Sequence, residues 1–123
     1  MISFEDFSIE EGRPIYLQIM EYIKRGAAAG TVHDGDELPS RRVMSALLGI
    51  NPNTVQKAYR QLEEEGLVES RTGAKSYVRI DEKMRRVLRE ELLKEQLRRT
   101  AATMKQMGVS LEQALGLLSK YWD

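Results

Sequence analysis

The stretch LGINPNTVQKAYRQL, residues 48–62, decides the fold. A proline inside a helix removes a backbone hydrogen bond and clashes with the preceding turn, so Pro52 either breaks a helix or begins one. Asn51 is a good N-cap, and proline suits the first helical position, where a missing N–H costs nothing. Val55, Ala58, Tyr59 and Leu62 then recur at i, i+3, i+4 and i+7, the spacing of a buried helical stripe. Asn53, Lys57 and Arg60 fall on the opposite face, flanked by Gln56 and Gln61. Pro52 therefore begins a helix whose outer face is polar, cationic and rich in amides.

The neighbouring segments fall into place on either side. Upstream, Ser40 is placed to cap a short helix whose buried face is read as Val43, Met44, Leu47 and Leu48, with Gly49 stopping it. An earlier helix starts at Pro14, carries Ile15, Leu17, Ile19, Met20, Tyr22 and Ile23, and ends in GAAAG with Gly30 as cap. TVHDGDE, residues 31–37, reads as a turn with a short extended piece leading into Leu38. Downstream, Gly66 closes the third helix, and LVES and SYVRI alternate like strands joined around RTGAK, with Gly73 at the tight point. Asp81 caps a long helix to about Met107 that carries Met84, Leu88, Leu92, Leu97, Ala101 and Met104. After Gly108, Ser110 and Gln113 form a capping box for a last helix striped by Leu111, Leu115, Leu118 and Trp122, with Ala114 and Tyr121 widening it.

At 123 residues the chain has room for one ordinary domain, or for a small domain with a helical appendage. No run approaches the roughly 18 apolar residues of a membrane span. The acidic start MISFEDFSIEEGRP does not read as a signal peptide. The lack of cysteine excludes a disulfide framework or thiolate metal site, and a cytoplasmic location is expected. Lys plus Arg and Asp plus Glu both number 19, so the net charge is zero. Their distribution is uneven. No acid lies between Glu37 and Glu63, the window that holds Arg41, Arg42, Lys57 and Arg60. Such a window suits an anionic partner, because a nearby carboxylate would repel phosphate.

Two short helices joined at a tight glycine turn, the second presenting amides and cations, match a helix-turn-helix, and the hairpin makes it winged. The expected fold is mainly α with a small β-hairpin wing: a winged helix-turn-helix DNA-binding domain over residues 1–80, then a two-helix dimerisation region over 81–123. In a major groove, Asn and Gln pair with adenine edges, and Arg or Lys with guanine. Arg41, Arg42, Lys57 and Arg60 are placed to neutralise phosphates. Asn51 reads as a cap, Asn53 and Lys57 as DNA contacts.

Several linked pieces then carry a family resemblance: PIYLQI, G-D-E-LPS-R-R, NPNTV-KAY--LE-EGL and the hairpin glycine. Over about residues 13–79 the chain resembles the winged-helix domain of the GntR family of bacterial transcription regulators. Its short two-helix C-terminal part resembles the YtrA subfamily, whose members lack larger effector domains. The resemblance implies a DNA contact at Arg42, with Arg41 beside it. It also implies contacts at Asn53, Thr54 and Lys57, with Pro52 and Gln56 at the same helix end. Gly73 matches the wing glycine that lets backbone approach the minor groove. Relatives show G-x-G there, whereas this chain has G-A-K, which implies a stiffer, more cationic tip, with Lys75 either on a phosphate or solvated. A repressor of its own operon and of linked ABC-transporter genes is what the resemblance suggests.

His33, the one histidine, sits beside acids in a turn, and DGDE lacks the ligand spacing of a calcium loop. Neither is read as a site, and no metal, cofactor or enzymatic activity is expected. The C-terminal stripes either fold back or meet a second chain. A homodimer is expected, since two amphipathic helices make little core of their own. Its interface candidates are Leu88, Leu92, Leu97, Leu111, Leu115, Leu118 and Trp122. The expected partner is a palindromic double-stranded operator, and no small-molecule effector is assigned. The competing reading is a winged-helix module that binds another protein and has no specific DNA site.

Overall fold

The computed structural model describes residues 1–71, 73 and 75–123. In chain order these form α1 (Ile15–Ala29), α2 (Arg41–Leu48), α3 (Pro52–Glu64), β1 (Val68–Arg71), β2 (Lys75–Val78), α4 (Glu82–Gln106) and α5 (Leu111–Lys120). The chain falls into two compact units, Met1–Arg89 and Glu90–Asp123. Among the described residues no helix is long and apolar enough to cross a membrane.

In the first unit α1, α2 and β1 each pack against α3. Ile19, Leu38, Met44, Val55, Leu62 and Val78 are its fully buried centre. The expected punctuation is present. Ser40 accepts from the Val43 N–H, Asn51 from the Asn53 N–H with Pro52 at the first turn, and Gly30 and Gly49 cap in the left-handed conformation. Gly26 is held for another reason: its carbonyl accepts from both Thr31 and Val32, and an added Cβ would stand 2.5 Å from the Val32 Cγ2.

The strands are antiparallel, with Arg71 opposite Lys75. The expected tight point, Gly73, has φ 84°; Thr72 and Ala74 of the expected RTGAK hairpin, and with Ala74 the G-A-K reading, lie outside the described residues. The extended piece before Leu38 becomes a third rung. Val78 donates to Asp36 (2.8 Å), Leu38 donates to Ser76 (2.9 Å), and Glu37 bridges Tyr77. The acids of the DGDE turn are acceptors: Asp34 takes the Ile80 N–H and Asp36 the His33 N–H, both at 2.8 Å.

Three features depart from the periodic reading. First, α2 does not bury four apolar residues: Met44 is fully buried, but Val43 and Leu47 are exposed (46% and 62%) and Leu48 is half-buried. An eight-residue helix resting on α3 along one edge covers only the side centred on Met44. Second, the N-terminal arm, aperiodic in sequence, is part of the core. Ile2 and Phe4 are buried, Ile2 donates to the Glu37 carbonyl (3.0 Å), and Phe4, Phe7 and Tyr22 form an aromatic cluster. Third, Gln18 is buried in a helix otherwise read by its apolar residues. Its Oε1 accepts from the Glu10 N–H (2.8 Å), while Nε2 donates to the carbonyls of Glu10 (2.9 Å) and Arg13 (3.0 Å).

In the second unit, α5 begins with the expected capping box, Ser110 with Gln113, and has no buried residue. Leu88, in the first unit, is buried there at 9% exposure, and Leu92 is half-buried. Leu97, Leu111, Leu115, Leu118 and Trp122 are exposed.

Gln18 holds three main-chain groups that no apolar side chain can satisfy. Gln18→Leu is expected to lower unfolding stability by about 1–3 kcal/mol, measured by urea denaturation. Unchanged stability would mean that these groups find water instead.

Candidate nucleic-acid interface

The outer face of α3 is built by its N-terminus. Asn51 Oδ1 is taken up by the Asn53 N–H (2.8 Å), so its role as a cap accounts for that oxygen. Asn53 is exposed, and its side chain makes no hydrogen bond among the described residues. Val55, Ala58, Tyr59 and Leu62 are buried beneath, as expected. The turn between α2 and α3 is closed by Ser45, whose hydroxyl donates to the Ile50 carbonyl.

Two contacts align the other elements with this face. The Tyr59 phenol donates to the Pro39 carbonyl (2.7 Å) in a buried setting, which fixes the start of α2 over the middle of α3. Burial pushes the Tyr59 pKa well above that of an ordinary phenol. The 36–38 segment, paired with β2, ties the hairpin to that same start.

The outcome is two adjoining depressions. One, of about 380 Å³, is lined by Ser40, Arg41, Gln56, Arg60, Gly73 and Lys75 among others. The next is lined by Arg41, Arg42, Ser45, Ala46, Pro52 and Asn53. Arg41 belongs to both, so eight of the ten residues singled out in the sequence share one continuous face. Thr54 and Lys57 lie outside both depressions. Thr54 is half-buried, and Lys57 turns toward α1, its Nζ 4.1 Å from the centroid of the Tyr16 ring. Sequence periodicity could not reveal that contact, because it joins residues from separate helices.

The electrostatics are uneven. Arg13, Lys24, Arg25, Arg71, Arg79, Arg85 and Arg99 each meet a carboxylate. Arg41, Arg42, Lys57, Arg60 and Lys75 are in no ion pair among the described residues. The acid-free window of the sequence is not an acid-free wall, however. Glu37 and Glu63, its two ends, also line the first depression. Arg41, Arg60 and Lys75 carry its positive charge in their presence.

Comparison with known proteins agrees with this architecture. The pattern described as "Bacterial regulatory proteins, gntR family" matches residues 15–78. The HTH-type transcriptional repressor YtrA of Bacillus subtilis is 39% identical over 102 residues, covering 80% of this chain and 77% of that protein. Among solved structures, a GntR family transcriptional regulator from Listeria monocytogenes superposes with a TM-score of 0.79 at 29% identity, over 91% of this chain and 98% of that one. YtrA from Sulfolobus acidocaldarius, a GntR-family transcription factor, gives 0.58 at 31% identity, over 81% and 99%. The chain belongs to the GntR family of transcriptional regulators, in its YtrA-like branch.

The raised Tyr59 pKa carries a sign. An unfolded chain ionises this phenol near pH 10, whereas the fold keeps it neutral. The stability it lends is therefore complete below about pH 10 and is lost as pH rises from there toward the folded pKa. Tyr59→Phe is expected to lower stability at neutral pH by about 1–3 kcal/mol and to flatten the alkaline loss. Urea midpoints measured from neutral to alkaline pH check both effects. A wild-type and variant pair with parallel curves would place the loss elsewhere.

Proposed function

We propose that this GntR-family chain is a homodimeric regulator that binds a palindromic site in double-stranded DNA and represses transcription there. One observation carries the reading: Arg41, Arg42, Asn53, Gln56, Arg60 and Lys75 share one face, and its cations are without carboxylate pairs among the described residues. In this reading α3 enters the major groove by its N-terminus, where Asn53 and Gln56 meet base edges. Arg41, Arg42 and Arg60 contact phosphates, and Thr54 and Lys57 add to the same helix end. The backbone at Gly73 approaches the minor groove, with Lys75 on a flanking phosphate.

Residues 1–80 supply this function, and 81–123 supply dimerisation. What supports a second copy is the exposure of Leu97, Leu111, Leu115, Leu118 and Trp122, at 51–76%, on helices that bury little of their own. A two-fold dimer sets two recognition helices on half-sites about one helical turn, roughly 34 Å, apart. Repression follows the Bacillus relative's name. The targets, its own operon and linked ABC-transporter genes, follow the family resemblance. We assign the protein to the cytoplasm, where its DNA lies, and assign it no enzymatic activity.

Selection of duplexes from a random-sequence pool, followed by anisotropy titration at several salt concentrations, tests the reading. A preferred two-fold site should emerge, with an affinity that falls steeply with salt. Arg41→Ala and Arg42→Ala are each expected to cost about 1–3 kcal/mol, with the dimer intact. No enriched site would favour the protein-interaction module. For the dimer, Leu111→Glu combined with Leu115→Glu should sediment as a 14.1 kDa monomer with helicity retained. An unchanged dimer would move the interface away from α5.

A further inference from the structure

We infer that Tyr16 is a positioning residue for the duplex, acting through Lys57, so that the nucleic-acid face extends past α3 onto the first turn of α1. The inference rests on the DNA-binding reading above. Tyr16 lies in the first turn of α1, half-buried, and its hydroxyl makes no hydrogen bond among the described residues. The ring makes the specific contact, with the exposed Lys57 ammonium 4.1 Å from its centroid.

The choice of partner matters. A lysine has a long, flexible stem and loses conformational entropy when it is held. A carboxylate could hold it, as Glu65 holds Lys24 at 2.6 Å, but would cancel its charge and repel phosphate. An aromatic face attracts the ammonium by its quadrupole and leaves the charge intact. Tyr16 thus orders Lys57 without setting an opposite charge against it.

Position also matters. Asn53 and Arg60 lie along the middle of the exposed face of α3. Gln56 opens toward the hairpin side, with Arg41 and Lys75. Lys57 falls on the other flank, against α1. A helix seated in a major groove has a phosphate backbone on each side. Arg41 and Lys75 serve one side in this arrangement, and Lys57, steadied by Tyr16, serves the other.

The test uses the duplex that the wild-type chain selects, with anisotropy titration across salt and thermal midpoints for each variant. Tyr16→Leu should weaken binding about five-fold, and Tyr16→Phe, which keeps the ring, should stay within about two-fold of the wild type. Lys57→Met should weaken binding and lower the salt slope by about one. In the Lys57→Met background Tyr16→Leu should cost nothing further. If Tyr16→Leu lowers the midpoint, Tyr16→Met takes its place in the cycle.

Equal or tighter binding by the ring-less variants overturns the inference, as does an undiminished cost in the Lys57→Met background. If Arg41→Ala still weakens binding in that case, the DNA-binding reading stands and only the role of Tyr16 falls. If the wild-type chain selects no duplex, both fall.

Discussion

The buried hydrogen bond from the Tyr59 phenol to the Pro39 carbonyl is the constraint on which the outer surface of the first unit depends. It joins the middle of α3 to the residue before the Ser40 cap, so α2 starts where α3 dictates. The same few residues also meet the hairpin, through Asp36 and Leu38 on β2, and the N-terminal arm, through Glu37 on Ile2. One segment, 36–40, therefore serves as the common anchor for α2, α3, β2 and the arm. Arg41, Arg60 and Lys75 stand beside one another because their three elements are tied there. An open groove between loosely joined elements would not hold that spacing.

Charge balance in this chain is a matter of pairing rather than of totals. The net charge is zero, yet many of the acids are engaged inside the fold. Asp34, Asp36 and Asp81 accept main-chain N–H groups. Glu21, Glu65, Glu69 and Glu82 hold Arg13, Lys24, Arg79 and Arg85. For Glu69 and Glu82, the arginine hydrogen bonds hold the carboxyl pKa below its ordinary value. Arg41, Arg42, Lys57, Arg60 and Lys75 stand outside any such pair among the described residues. A protein neutral overall thus carries a local excess of unpaired positive charge on this face. Glu37 and Glu63 at its edge temper that face.

Much of this was legible in the chain. The Asn-Pro-Asn start of α3, its buried stripe, the Ser40 and Ser110 caps and the two strands follow from local chemistry, and local chemistry is what a sequence displays. The buried side of α2 was not. Val43, Met44, Leu47 and Leu48 share one side of the helix, an arc of about 140°, and contact with α3 covers only its Met44 edge and leaves Val43 and Leu47 in solvent. Gln18 was hidden for a different reason: hydrophobic periodicity has no place for a buried amide that staples a loop. The arm residues Ile2 and Phe4 have no period to detect. In the candidate interface, the sequence reading named the cations and amides, and the fold added the pairing of Lys57 with Tyr16 and the intrusion of Glu37 and Glu63.

Backbone amide NMR of the labelled chain, titrated with a duplex it has selected, tests the central claim most directly. Binding should shift the amides of Arg41, Arg42, Asn53, Gln56, Arg60, Gly73 and Lys75 together at one stoichiometric point. Those of the arm and of α5 should stay in place. Shifts concentrated on the arm or on α5, with that face unmoved, would contradict the account.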